Sequence, residues 1–312
     1  MRHLRQRIQG TALITALLVV ALASIIATEL IARTRVDIRR TENTVLSEQA
    51  YEYALGMESW AMQLLLRDQH DTENDNLQES WAGELQPATL DTGDLGGSIE
   101  DLNARFNLNN LIDANGKTSK NDLEAFRRLL GAVGLEPDLA QAVADWIDLD
   151  IDETLPNGAE DNYYLDKEPA YRVPNSPMVS TSELLLIKGF TEEKYKKLEP
   201  YVTALPKHST VNINTASAPV IMAVIPEISL DEAKQLVETR PADGYKDIAD
   251  FRGQQALQGR RVAGVGVKSN FFKIASYAQV GRSVVRLNTI VQRGDGKTDL
   301  PIRILMRSRG YL

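Results

Sequence analysis

Nine carboxylate side chains lie between Asp145 and Glu168, a segment of 24 residues that contains a single lysine. Carboxylates this close in one irregular segment repel one another unless a hard cation gathers them. Ca²⁺ takes about six to eight oxygen ligands, and Asn157, Asn162 and backbone carbonyls are available to complete such a shell. Apolar and aromatic residues between the acids favour a folded loop, whereas a solvated acidic loop is the plain alternative. The segment therefore predicts a calcium site.

This acidic segment matches only the beginning of a known calcium motif. Its Asp148-x-Asp150-x-Asp152 spacing is the one with which an EF-hand loop begins. Glu153, however, stands at the position of the turn glycine, and Ala159 at that of the bidentate glutamate. The motif alone does not define an EF-hand.

A second pattern runs from Val211 to Ile221, where Val-Asn-Ile-Asn-Thr-Ala-Ser-Ala-Pro-Val-Ile resembles the opening of a helix-hairpin-helix unit. Such units often bind the DNA backbone through glycines of the hairpin. Here the hairpin from Ile225 to Leu230 contains no glycine, and residues 182–198 look like a partial second copy. Without glycine, backbone amides cannot approach a phosphate closely, and the net charge of −8 also disfavours a phosphate-binding surface. We expect a packing module for protein contact and no nucleic-acid partner; a membrane-tethered DNA receptor of competence type is the alternative.

Signatures of an enzyme are missing from the sequence. The chain has no cysteine, which excludes disulfides, thiolate metal sites and cysteine nucleophiles, and its three histidines lie far apart. Gly296-Lys-Thr298 resembles the end of a phosphate-binding loop, but Val291 occupies the place of the first glycine. The segment Gly294-Asp-Gly-Lys297 is better interpreted as a hairpin turn, and we expect no enzymatic activity.

The N-terminal segment predicts a membrane anchor. Met1 to Gly10 is a short leader with three arginines, and Thr11 to Ala32 contains one charged residue, Glu29. At about 1.5 Å per residue these 22 residues cover a hydrocarbon core of about 30 Å. The polar flanks argue against a buried helix of a soluble protein. Arginines on both sides of the apolar run leave the orientation open.

The same helix is expected to continue beyond the membrane to about Arg67. Apolar residues at spacings of three and four line one face of residues 33–67: Leu46, Ala50, Tyr53, Met57, Trp60 and Leu64. This stripe predicts packing on a domain formed by later sequence. A coiled-coil dimer is less favoured, because the stripe lasts under three heptads.

The remaining elements predict an α+β fold. The polar stretch from His70 to Gly97 is interpreted as a loop, and short strands are expected within residues 98–112. Capping signals at Ser119, Ser180 and Ser229 begin helices, so residues 118–266 form a helical domain. Alternating residues predict three strands at the end of the chain: Phe272–Val280, Val284–Arg293 and Pro301–Arg309. We therefore expect a long N-terminal helix on a small antiparallel sheet (residues 68–117 and 267–312), with a large all-helical domain inserted between strands.

These features together resemble the type IV pilin-like family: a basic leader that ends in glycine, an apolar helix that continues as an amphipathic one, and a small C-terminal sheet. The glutamate usual at the fifth mature position of that family is replaced by Thr15. With the helical insertion, this replacement makes the chain resemble the large minor pseudopilins of type II secretion. The segments that carry this resemblance are Asp101-Leu-Asn-Ala-Arg-Phe-Asn-Leu-Asn-Asn110, Asp145-Trp-Ile-Asp148, Gly158-Ala-Glu-Asp-Asn-Tyr-Tyr164 and Val211-Asn-Ile-Asn-Thr-Ala216.

The resemblance implies how the chain is processed and where it is located. A prepilin peptidase would cleave between Gly10 and Thr11 and methylate the new N-terminus at Thr11. The protein would cross the bacterial inner membrane once, with its C-terminal domain in the periplasm. A plain signal-anchored periplasmic scaffold is the remaining alternative.

The resemblance also implies partners and a ligand set. The chain would form the tip of a pseudopilus with the minor pseudopilins I and J, above the major pseudopilin. It would initiate assembly, contact secreted substrates and support protein export across the outer membrane. The calcium sites of the family would fall on the acidic loop, with five ligands: Asp148, Asp150, Asp152, Glu160 and Asp161.

Overall fold

The computed structural model describes residues 2–90, 93–206, 208–294 and 301–310, of which 2–10, 86 and 90 are described by their backbone alone. The helices of this part are α1 (Arg2–Asp71), α2 (Lys120–Ala132), α3 (Leu139–Ile147), α4 (Asp161–Leu165), α5 (Glu192–Leu198), α6 (Ala218–Val224), α7 (Leu230–Glu238) and α8 (Ile248–Arg252). The strands are β1 (Gly83–Leu90), β2 (Gly93–Asp101), β3 (Phe106–Asn107), β4 (Val202–Thr203), β5 (Val211–Asn212), β6 (Val265–Gly266), β7 (Phe271–Val280), β8 (Ser283–Arg293) and β9 (Ile302–Arg309). The predicted α+β class, a long helix on an antiparallel sheet with inserted helices, is confirmed.

The main sheet has the order β1-β2-β7-β8-β9, and every neighbouring pair is antiparallel. The expectation of a loop from His70 to Gly97 was wrong, because β1 and most of β2 lie in this stretch. The glycines at the start of β2 interrupt the alternation that would have predicted a strand. In the folded sheet, however, they allow the neighbouring strand to approach closely. A Cβ at Gly97 would lie 2.5 Å from the carbonyl oxygen of Ala275, so the close approach of β7 excludes a larger residue.

The predicted turn between the last two strands falls at residues 294–297, and residues 295–300 lie outside the described residues. Gly294 N donates to the carbonyl of Pro301 (2.8 Å) at the end of the β8–β9 ladder.

Small residues on α1 set how it packs on the sheet. The buried line runs through Ala50, Ala54, Met57, Ala61 and Leu65. The predicted stripe was correct for Ala50 and Met57 but wrong for Trp60, whose surface is 44% exposed. Because alanine lets the helix axis approach the strands, the contact line follows the alanines and turns the larger Trp60 outward.

The helical block lies between β2 and β7 in sequence and has its own core. Phe106, Leu108, Phe126, Trp146 and Ile221 belong to this core, which is separate from the clusters beneath α1. Two pairs of two-residue parallel strands, β3–β4 and β5–β6, interrupt the expected all-helical composition.

The capping signals hold, with one difference. Ser119 caps α2, and Ser229 with Glu232 forms a capping box on α7. Ser180 with Glu183 also forms a capping box, but it opens a 3-10 helix, Thr181–Leu186, rather than an α-helix. The sequence pattern thus located the start of the turn but not its helical type.

An ion pair between a buried carboxylate and a half-buried arginine fixes the register of α1 on the sheet. Glu58 on α1 is 1% exposed and accepts hydrogen bonds from Arg307 on β9 (Nε, 2.9 Å) and from the Thr289 hydroxyl on β8 (2.5 Å). Sliding α1 by one turn would leave a carboxylate without partners in an apolar interface.

We expect Arg307→Met to lower the free energy of unfolding by about 3 kcal/mol, because Glu58 remains buried without its cation. The measurement is urea unfolding of the full chain in detergent micelles, followed by tryptophan fluorescence. The double variant Glu58→Gln/Arg307→Met is the control and should recover part of the loss. An equal loss in the single and double variants would contradict this account.

Candidate metal centre

The acidic loop begins where α3 ends. Asp148 is the C-cap of α3, and its backbone N–H donates to the carbonyl of Ala144 (2.9 Å). The chain then passes through an irregular loop to Glu160, the N-cap of α4. The loop is therefore anchored by a helix terminus at each end.

Asp145 organises this loop from inside. Its carboxylate is fully buried and accepts the backbone N–H groups of Thr154 (3.1 Å) and Ala159 (2.8 Å). A Cβ at Gly158 would lie 2.1 Å from Asp145 Oδ2, so the loop needs glycine at this point. Burial raises the pKa of Asp145, and these hydrogen bonds oppose the rise. Asp145 thus has a structural role, because backbone donors occupy its oxygens.

Asp148 and Glu160 are different, because they are buried carboxylates with free acceptor atoms. Each is 3% exposed, and Asp148 Oδ1 and both Glu160 carboxylate oxygens have no hydrogen-bond partner within the described chain. The other oxygen of Asp148 accepts only a long hydrogen bond from the Thr118 hydroxyl (3.4 Å).

Burial and neighbouring acids make the charged forms of Asp148 and Glu160 unfavourable. Burial, and then the charges of Asp150 and Asp145, raise the pKa of Asp148 to about 7. Burial, and then Asp145 and Asp148 with other acids, raise the pKa of Glu160 to about 7. Buried anions without donors are costly, and one bound cation would lower both pKa values and satisfy the free oxygens.

Asn175 also contacts the acidic loop, and the sequence pattern gave no indication of it. Its side-chain oxygen is buried and without a partner, while its amide nitrogen donates to the carbonyl of Asp150 (2.8 Å). The backbone φ of Asn175 is +42°, a left-handed conformation that asparagine tolerates better than most residues. No spacing rule connects position 175 with the acidic run, since only the fold brings its amide onto the loop.

The other predicted ligands are placed differently. Asp150 and Asp152 are exposed, and Asp150 accepts the backbone N–H of Asp152 (2.9 Å). Asp161 uses its carboxylate for Arg172 Nη1 (2.7 Å) and for the backbone N–H of Val173 (3.0 Å). The fold therefore buries Asp148 and Glu160 with oxygens that lack hydrogen-bond partners. Of the other three predicted ligands, Asp150 and Asp152 lie at the surface, and Asp161 is paired with Arg172.

A second acidic group, Asp68, Asp75 and Glu79, has ligand atoms within 4.8 Å of one another. The positive charge beside these acids comes from an arginine side chain of the protein itself. The Arg293 guanidinium donates to Asp68 (3.0 Å) and to Asp75, and both partners are buried. Burial, Glu79 and Asp75 nevertheless raise the pKa of Asp68 to about 7. Because Arg293 fills this group, we assign it a structural role.

The segment that resembles a helix-hairpin-helix opening is used for internal contacts. The Asn212 amide donates to Asp75 O, Asp101 Oδ2 and Ser269 Oγ (2.8–3.2 Å). Asn214 binds both backbone groups of Tyr245 (2.7 and 3.0 Å). These contacts support the interpretation of the motif as a packing module, since its polar groups face the protein.

The predicted processing residues, Gly10 and Thr11, lie within the continuous helix α1. From Thr11 this helix contains an 18-residue window of mean hydropathy 2.4, none of it buried. By length and composition it is able to cross a membrane, and its apolar side chains are exposed, as expected for a segment that packs against lipid.

Comparison with known proteins places these features in a family. Two family models, both described as Type II secretion system (T2SS), protein K, match residues 104–207 and 211–270. Type II secretion system protein K of Pseudomonas aeruginosa is 37% identical over 98% of this chain and 94% of its own length. The Aeromonas hydrophila protein of the same name is 34% identical over 91% of this chain and 93% of its own length.

The fold also has a relative of known structure. A chain of the GspK-GspI-GspJ complex from the type 2 secretion system of enterotoxigenic Escherichia coli matches with a TM-score of 0.77 at 24% identity. The match covers 88% of this chain and all of that one. At this identity the likeness establishes the shared fold.

Proposed function

This chain belongs to the type II secretion system protein K family of minor pseudopilins, and on that basis we propose that it forms the tip of a periplasmic pseudopilus. In this role it would initiate assembly of the pseudopilus and support protein export across the outer membrane. The proposed role is structural rather than catalytic.

Thr15 carries the proposal of a tip position. If cleavage follows Gly10, Thr15 is the fifth mature residue, where pilin-like proteins usually have a glutamate. That glutamate neutralises the positive N-terminus of a neighbouring subunit in an apolar bundle, where an unpaired charge is costly. The Thr15 hydroxyl instead donates to backbone carbonyls of its own helix, Thr11 O (3.1 Å) and Ala12 O (2.9 Å). A subunit with no neighbour above it has no N-terminus to neutralise.

The size of the helical block supports the same position. The block spans α2 to α8 and has a core of its own beside the sheet. A block of this size would be hard to accommodate in every subunit along a thin shaft. A single copy at the end of the shaft would have no neighbouring block to clash with.

The proposed neighbours are the minor pseudopilins I and J and the major pseudopilin. A relative of the same fold is found in a complex with GspI and GspJ. Below the tip, the apolar part of α1 would cross the inner membrane once, with the sheet and helical block in the periplasm. Secreted substrates would meet the tip on its exposed surface.

A gold label on this chain should therefore appear at one end of each pseudopilus. The measurement is electron microscopy of pseudopili that carry an epitope tag on the full-length chain, in cells that lack the untagged copy. A tagged major pseudopilin is the control and should label the whole shaft. Label from this chain along the shaft would contradict the tip position.

For processing, we propose that a prepilin peptidase cleaves between Gly10 and Thr11 and methylates Thr11. Intact-mass spectrometry of the membrane-extracted chain should give a mature protein that begins at methylated Thr11. Gly10→Leu should keep the leader, because a bulky side chain replaces the glycine at the cleavage point, whereas Gln9→Leu should be processed normally. Any other N-terminus would contradict the pilin-like pathway.

We also propose that the acidic loop binds calcium. Asp148, Glu160 and the Asn175 oxygen would supply the buried ligands, and the exposed Asp150 and Asp152 would close the site on the solvent side. The donor set is entirely oxygen, as calcium prefers. Asp161 would contribute its charge, because its carboxylate is engaged by Arg172. The bound ion would fix the loop between α3 and α4.

Calcium should raise the melting temperature of the full chain in detergent micelles, by about 5–10 °C at a hundredfold excess over Kd, relative to EGTA. Asn175→Ala should lose most of this rise. Asn157→Ala should keep it, because the exposed Asn157 amide donates to Asp138 (3.3 Å) and is not among the proposed ligands. The rise should be smaller near pH 6 than near pH 8, because protons held with pKa values of about 7 compete with the ion. An equal rise in both variants would contradict the ligand set, and no rise in the wild type would contradict calcium binding.

A further inference from the structure

Four exposed arginines follow the apolar segment of α1 within eight residues: Arg33, Arg35, Arg39 and Arg40. Residues 11–32 contain no lysine or arginine. If the leader is removed after Gly10, the basic side chains nearest to the membrane therefore all lie on the periplasmic side. Lysine and arginine are usually concentrated on the cytoplasmic side instead, so these arginines run against the general pattern. A negatively charged partner at the periplasmic surface would account for their position.

The arginines lie at the level of the lipid headgroups. From Thr11, about 20 residues cross a hydrocarbon core of about 30 Å, and the headgroup layer adds about 5–7 Å on each side. Arg35 then lies about 7 Å beyond the core, and Arg39 about 13 Å beyond it. Helical side chains tilt towards the N-terminus, which here is the direction of the membrane, so the Arg39 guanidinium can reach back by about one turn. Both side chains can therefore meet the phosphate layer.

Arg35 and Arg39 have no counter-charge within the described part of the protein. They are four residues apart and project from the same side of α1. Arg33 is different, because it donates to Glu29 (2.8 Å), the one carboxylate of the apolar segment. Glu42, on the same side as Arg35 and Arg39, pairs instead with an arginine at the turn between β7 and β8 (3.5 Å). Two neighbouring guanidinium groups are thus left free to bind an anion.

We propose that Arg35 and Arg39 bind the phosphate of an anionic phospholipid in the periplasmic leaflet of the inner membrane. The proposal rests on the proposed function, because the membrane span and its orientation belong to that function. Guanidinium groups match phosphate oxygens with paired N–H donors, and each arginine near an anionic bilayer surface strengthens the attraction roughly fivefold. The bound lipid would hold α1 at a fixed depth in the membrane.

Electron paramagnetic resonance of spin-labelled lipids tests this site, because it measures the fraction of each lipid that is held at the protein surface. The full chain is reconstituted in phosphatidylcholine vesicles with a trace of spin-labelled phosphatidylglycerol or spin-labelled phosphatidylcholine. The wild-type chain should hold phosphatidylglycerol roughly threefold more strongly, and salt at about 1 M should remove most of this preference by screening. Equal association of the two lipids would overturn the proposal.

A pair of double variants assigns the preference to these two side chains. Arg35→Ala/Arg39→Ala should abolish it. Arg286→Ala/Arg303→Ala removes the same charge from the sheet and should keep it, since these two arginines are also exposed and form no ion pair in the described part of the chain. An equal loss in the two double variants, or an unchanged preference in the first, would overturn the proposal.

Two further measurements separate this proposal from the proposed function. If Arg35→Ala/Arg39→Ala keeps the preference for phosphatidylglycerol but no longer co-purifies with the minor pseudopilins I and J, the arginines bind a subunit. The lipid site is then wrong and the function stands. If alkaline carbonate extracts the wild-type chain from inner membranes, the chain does not span the membrane, and both fail.

Discussion

The architecture depends on one buried guanidinium, that of Arg293 at the end of β8. It donates to the last turns of α1 through Leu65 O (3.2 Å) and Asp68 (3.0 Å), and to Ser269 O (2.8 Å) just before β7. It also binds Asp75 in the loop after α1. A buried cation must keep all its acceptors, so the helix, the following loop and the two central strands are held in one arrangement.

The same network reaches the helical block. Asp75 accepts the backbone N–H of Ser269 (2.7 Å), and the Ser269 hydroxyl donates to Asp101 (2.6 Å) at the end of β2. Asp101 also accepts hydrogen bonds from Thr215 and Asn212 of the block (2.5 and 3.2 Å). Burial raises the pKa of Asp101 to about 6, and the hydrogen bonds from the Ser269 and Thr215 hydroxyls oppose the rise. Polar groups therefore join the block to the sheet, while its apolar core remains separate.

The hydrogen bonds around Arg293 and Asp101 hold α1, the sheet and the helical block together. The Glu58–Arg307 pair sets the register of α1, and Arg293 holds its end, so the outward face of α1 has a fixed direction relative to the block. The acidic loop belongs to the block and depends on Asp145 and on the ends of α3 and α4. The apolar helix α1, the sheet and the acidic loop are thus held in one arrangement.

The sequence by itself determined the features that depend on local chemistry: the apolar N-terminal helix, the caps of α2 and α7, the α+β class and the position of the acidic run. These follow from hydrophobicity, helical periodicity and side-chain capping, which act over a few residues. Tertiary structure decided β1 and the glycine-rich start of β2, which are ordered by pairing with each other and with β7. It also decided the outward direction of Trp60, which follows from the alanines packed on the sheet. Finally, it decided that Asn175 contacts the loop and keeps a side-chain oxygen without a partner, whereas Asp161 is engaged by Arg172 and Val173. Each of these depends on contacts between segments far apart in sequence, and no local pattern records which partner will occupy a side chain.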